Sequence, residues 1–146
     1  MPELKSLPAS DIKNISKELL KWLRNCPAIP SDLTLKYQFL DTDSGISLHT
    51  LKGAVKKREY IDGGYDGKYP FAIYLRGIQD STNSRLDIES TLNSIGEWAD
   101  NQSVYPSLDY LEIDSISWVT NAILVKRFDN GVEDYMITFE LLFTVD

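Results

Sequence analysis

The stretch SISWVTNAILVKRF (115–128), DNG (129–131), VEDYMITFELLFTV (132–145) decides the fold. Asn130-Gly131 between two extended runs is a strong short-range signal for a hairpin, because the tight turns that suit twisted strands need positive φ, which Asn and Gly tolerate. In the last run Tyr135, Ile137, Phe139, Leu141 and Phe143 share one face, opposite Met136, Thr138, Glu140 and Leu142. That period of two belongs to a strand. Such a sheet needs other elements to cover its apolar face.

Upstream, Ser84 with Asp87 three residues on has the form of a capping box. Ile88, Leu92, Ile95 and Ala99 then form a helical stripe, which Trp98 broadens. Before it, Tyr69 to Leu75 reads as a mostly apolar strand with Pro70 near its start, where a missing N–H is tolerated. Asp62 to Gly67 reads as a flexible, Gly-rich tip, and Val55 to Ile61 as a peripheral strand. Leu33 to Leu40 alternates as a half-buried strand, Asp41 to Gly45 has turn chemistry, and Ile46 to Leu51 is a return strand. At the start, Ser10 or Asp11 is placed to cap a helix whose stripe is Ile12, Ile15, Leu19, Trp22 and Leu23, stopped by Asn25 and Pro27. The order αββββαββ predicts one α+β domain over 1–146: a mostly antiparallel sheet, two helices on one face, and a protruding β-hairpin arm.

The whole chain has 146 residues, 22 acidic and 15 basic, for a net charge of -7, and its apolar fraction of 42% is too high for a disordered acidic tail. A single cysteine, Cys26, and a single histidine, His49, exclude a Cys/His zinc site or a disulfide framework within one chain. The acidic balance argues against binding nucleic acid by neutralising phosphates. No run approaches the roughly 18 apolar residues of a membrane helix, and Met1 to Ser10 lacks the features of a secretory signal.

Each candidate for chemistry has a plainer account. Gly67-Lys68 ends a Gly-rich loop, but Asp62 and Tyr69 stand where a phosphate loop needs Gly and Ser/Thr. Asp41-Thr42-Asp43 opens like a calcium loop, yet Gly45 comes one position early and Lys52 replaces the final Glu. His49 lies in a predicted strand with no G-x-S-x-G elbow to partner it. Cys26 reads as a buried thiol beside Pro27. Asp109, Glu112, Asp114, Glu133 and Asp134 read as a solvated acidic face. No catalytic, cofactor-binding or metal-ligating set is assigned.

The basic run Lys56-Lys57-Arg58, followed by Tyr60, Tyr65 and Tyr69, admits three readings: a nucleic-acid contact, a charged edge that resists pairing, or an arm reaching an acidic neighbouring subunit. On the arm reading, Lys56, Arg58, Tyr60, Tyr65 and Lys68 are the subunit-interface candidates. Truncation between Val55 and Tyr69 is then expected to leave a folded monomer.

Four segments together resemble one family. Lys21-Trp22-Leu23-Arg24-Asn25-Cys26-Pro27, Tyr69-Pro70-Phe71-Ala72-Ile73, Ile95-Gly96-Glu97-Trp98 and Asp129-Asn130-Gly131 leading into Asp134 to Leu141 resemble the small minor capsid or tail terminator proteins of long-tailed phages and prophages of Gram-positive bacteria. The resemblance implies an α+β fold and a non-enzymatic virion protein, with no cofactor. It implies a homo-hexameric ring that caps the tail tube, stops its polymerisation and offers the head-joining surface, assembled in the host cytoplasm. The implied partners are the ring's own copies, the major tail tube protein and the head connector, with DNA only passing through the lumen. Acidic residues along that lumen would keep DNA from adhering. Another head–tail joining protein, a small binding module and, more remotely, an enzyme are the competing readings.

Overall fold

A computed structural model describes residues 5–146. The elements are α1 (Ala9–Leu23), β1 (Leu35–Tyr37), β2 (Gly45–Thr50), β3 (Val55–Glu59), β4 (Tyr65–Ile78), α2 (Thr82–Asp100), β5 (Leu111–Arg127) and β6 (Val132–Val145). They build a six-stranded sheet in the order β1-β2-β4-β6-β5, with β3 pairing the first part of β4. Both helices lie on one face, which is the expected α+β architecture.

The spine is β4 against β6, antiparallel from Tyr65↔Val145 to Ile78↔Val132 without a slip. The alternation of β6 decides which face receives the helices. Phe71 and Phe139 are register partners with rings stacked 4.9 Å apart, and both are buried. Each such side chain contributes about 1.5–3 kcal/mol by leaving water. From α1, Ser16 reaches the Tyr69 hydroxyl at 2.6 Å; from α2, Gly96 lies against the Trp118 ring. Trp22 and Trp98 join the helices, with ring centroids 5.0 Å apart. The hairpin joining β5 to β6 forms as expected, closed by Phe128 N–H on the Val132 carbonyl, with Gly131 at φ +83°.

Several local expectations are corrected. Neither Ser10 nor Asp11 caps α1: Pro8 holds the N-cap position with no side-chain bond, because Asp11 is buried and accepts from Tyr65 and Tyr110. The cap of α2 lies three residues before the expected one, at Ser81, with Ser84 as the returning partner. The strand expected over Leu33 to Leu40 shrinks to Leu35–Tyr37 and runs parallel to β2 rather than as its hairpin mate. Of its expected apolar face only Leu35 is buried, while Gln38 turns the chain at φ 51° and the Ser47 hydroxyl accepts from the Phe39 amide.

The protruding arm is corrected as well. β3 and β4 do form a hairpin, turned at Tyr60–Gly64, with Gly63 at φ +94° and Tyr60 N–H on the Gly64 carbonyl. However, β4 already begins at Tyr65, and β6 pairs it along its whole length, so the hairpin is part of the sheet.

Candidate functional site

The five residues expected on the arm do not converge on one docking tip. Tyr65 is 3% exposed, packs edge-on against Phe143 and donates its hydroxyl to Asp11. Burial and that carboxylate together raise its pKa. Lys56 places its ammonium 4.7 Å from the Tyr65 ring centroid and pairs with Glu59 at 3.4 Å. Arg58 stacks over Tyr60, whose hydroxyl donates to Asp66 at 2.6 Å. Lys68 pairs with Glu140 at 3.5 Å on the face away from the helices. Truncation between Val55 and Tyr69 would delete the buried Tyr65 and the first pairs of β4 with β6, so it is expected to unfold the chain rather than leave a folded monomer.

The other titratable groups have structural partners or structural costs. Glu133 is 1% exposed and accepts from Arg127 at 2.6 Å, Arg85 at 3.1 Å and the Tyr135 hydroxyl at 2.9 Å. Desolvation pushes its pKa up, but those bonds outweigh it and hold the carboxyl below the usual range. Arg76 grips Asp134 through Nε at 2.6 Å and Nη2 at 2.8 Å. His49 lies 4.5 Å from the Tyr74 ring, with Nε2 buried and unpartnered among the described residues. Burial lowers its pKa against an opposing attraction to Asp134. Cys26 is buried, and desolvation raises its thiol pKa. Among the described residues no three His, Cys, Asp or Glu side chains gather as a metal-ligand group. No described helix is long and apolar enough to cross a membrane.

What stands out is a pair of apolar surfaces on opposite edges of the sheet. The first is the second half of β5. Val119 is 58% exposed, Ile123 49%, Leu124 41% and Val125 44%, a run of apolar side chains in solvent at the terminal strand. The ladder to β6 is broken by register shifts at Trp118/Thr120, Thr120/Ile123 and Leu124/Lys126, so side chains emerge on both faces. Helix α2 occupies part of this strand's backbone: Asp100 Oδ1 accepts from Trp118 N–H at 3.1 Å, and Asn93 Oδ1 from Ala122 N–H at 2.8 Å.

The second surface is a groove of ≈ 450 Å³ between α1 and β1, lined by Ala9, Ile12, Ser16, Leu20 and Tyr37 with Lys13 and Lys17 beside them. α1 presents one stripe, Ile15, Leu19 and Leu23, to the core and this adjoining stripe to the groove. Neither surface was singled out from the sequence. Its signal for β5 was the eleven residues 115–125 without a charge, Gly or Pro.

No family model matches the chain, and no curated protein matches it.

Proposed function

We propose that this chain is a non-enzymatic structural protein of a long-tailed phage or prophage: a tail terminator that caps the tail tube as a ring of identical copies. Capping stops tube polymerisation and leaves a surface for the head connector. The observation that carries the reading is the exposed apolar half of β5, Val119 to Val125, at one edge of a small α+β domain. Large apolar side chains left in solvent along one strand in this way mark an interaction surface. The four resembling sequence segments supply the virion context, and the net charge of -7 suits a lumen through which DNA passes without adhering.

The test is electron microscopy of lysates from the source phage or prophage with this gene deleted. Headless, overlong tails of irregular length beside filled heads are the expected outcome. Tails of normal length that fail to attach would reassign the protein to another joining role, and intact infectious particles would remove it from the virion.

A further inference from the structure

The hairpins β3–β4 and β5–β6 close through the same set of bonds. In the loop from Tyr60 to Gly64, Tyr60 N–H donates to the Gly64 carbonyl at 2.8 Å, Gly63 N–H to the Tyr60 carbonyl at 3.1 Å, and Gly64 N–H to Asp62 Oδ1 at 3.1 Å. In the loop from Phe128 to Val132, Phe128 N–H donates to the Val132 carbonyl at 2.8 Å, Gly131 N–H to the Phe128 carbonyl at 3.2 Å, and Val132 N–H to Asn130 Oδ1 at 3.3 Å. Gly63 and Gly131 both take positive φ, +94° and +83°. This is the hairpin loop in which a turn is followed by a left-handed residue. Asp62 and Asn130 therefore hold equivalent places, one with a carboxylate and the other with a carboxamide.

That difference has a chemical consequence. We infer that Asn130 is a site of spontaneous deamidation, at which the Gly131 backbone nitrogen attacks the Asn130 side-chain carbonyl and the residue becomes aspartate or isoaspartate. The Gly131 nitrogen gives its proton to hydroxide and bonds to Asn130 Cγ. The Cγ–Nδ2 bond breaks, and the nitrogen leaves as ammonia with a proton from water. The cyclic succinimide that remains then takes up water. Opening at Cγ gives aspartate; opening at the Asn130 main-chain carbonyl gives isoaspartate, whose backbone runs through the former side chain. The net change is water in and ammonia out, and solvent supplies the only co-reactant.

Three observations select this residue. Of the seven asparagines only Asn130 precedes a glycine, which has no Cβ to obstruct ring closure. Asn130 is exposed at a loop tip, whereas Asn14 lies within α1, Asn83 and Asn93 within α2, and Asn121 within β5. The bond from Val132 N–H folds the side chain over the intervening Gly131 peptide, as Asn and Asp do in turns. To react, Gly131 N–H must leave the Phe128 carbonyl, and local opening of a loop tip costs little.

The equivalence with Asp62 also separates the two products. Aspartate at position 130 is the arrangement that the other hairpin already uses, so the loop keeps its bonds. Isoaspartate adds a methylene to the main chain between the two ends that Phe128 and Val132 hold together. It is expected to break that closing pair and loosen the next one, Arg127↔Glu133.

The test is an ageing time course of the folded full chain in warm, mildly alkaline buffer. Peptide mapping by mass spectrometry follows each asparagine, and isoaspartyl methyltransferase labelling detects isoaspartate. Asn130 is expected to convert at least about tenfold faster than Asn121, which precedes an alanine, and to yield both isomers. Asn130→Asp is expected to melt with the wild type, and the aged chain, enriched in isoaspartate, to melt below both. Conversion of Asn130 no faster than that of Asn121 would overturn the inference. So would aspartate without isoaspartate, which means direct hydrolysis with no attack by Gly131. An Asn130→Asp variant that melts as low as the aged chain would overturn the equivalence of the two loops.

Discussion

Gly67 on β4 and Phe143 on β6 are register partners, and the Phe143 ring lies over Gly67 so closely that a Cβ there would stand 2.1 Å from Cζ. The glycine provides space for a ring in mid-sheet. Gly67→Ala is therefore expected to destabilise the fold by about 1–3 kcal/mol through overpacking. In a Phe143→Ala background the same change should cost much less, because the obstructing ring is gone. Chemical unfolding of the four-member cycle measures both; additive effects would refute the steric account.

Glu133 links stability to acid. Its folded-state pKa lies below the ordinary 4.5 because the bonds from Arg127, Arg85 and Tyr135 outweigh desolvation. Its contribution is thus present above that ordinary value and lost as pH falls through the lower folded one. Glu133→Gln is expected to cost about 1–3 kcal/mol at neutral pH and to flatten the acid limb of the stability curve. An acid limb parallel to the wild type would exclude Glu133 as its source.

His49 carries a cost. A buried Nε2 without a partner favours the neutral ring, and burial places the folded pKa below the ordinary 6.5. The unfolded chain then binds the extra proton, so this residue's contribution to stability falls as pH falls. His49→Phe keeps an aromatic ring against Tyr74 and removes the orphaned nitrogen. It is expected to match or exceed wild-type stability at neutral pH, with the larger advantage near about pH 5. A variant equally destabilised at both pH values would show that the imidazole makes a needed bond.

The buried carboxylate of Asp11 ties α1 to the sheet and to the loop before β5 through Tyr65 and Tyr110. Tyr65→Phe and Asp11→Ala are each expected to cost about 1–3 kcal/mol, since each leaves a buried polar group short of a partner. The double variant should cost at least about 1 kcal/mol less than their sum, measured by urea unfolding. Strict additivity would mean that the pair is not coupled.

The architecture was legible where a local period decided it. The two-residue alternation around Phe139 and the Asn130-Gly131 turn specified the final hairpin, and the stripes of Ile15, Leu19 and Leu23 and of Ile88, Leu92 and Ile95 specified the helices. Partners distant in sequence were not legible. Gly67 looked like part of a mobile tip because a glycine that frees the backbone and one that makes space for a ring are the same letter; only Phe143 distinguishes them. Tyr65 looked exposed for the same reason, its hydroxyl partner Asp11 lying on another element. The parallel pairing of β1 was hidden because turn chemistry at Asp41 to Gly45 suggests a simple reversal, whereas the chain had already turned at Gln38. The exposure of Val119 to Val125 was masked by bulges, which change which side chains share a face without altering the apolar content that a pattern reads.

The bonds from Asp100 and Asn93 to the amides of Trp118 and Ala122 also bear on how the chain survives in a cell. An uncharged run such as 115–125, rich in β-branched residues, is a template for intermolecular aggregation whenever its backbone is unoccupied. Helix α2 precedes that run in the chain, so it emerges from the ribosome first. Asp100 and Asn93 are then available to occupy two of the strand's amides, and damage to α2 is expected to appear first as insoluble protein.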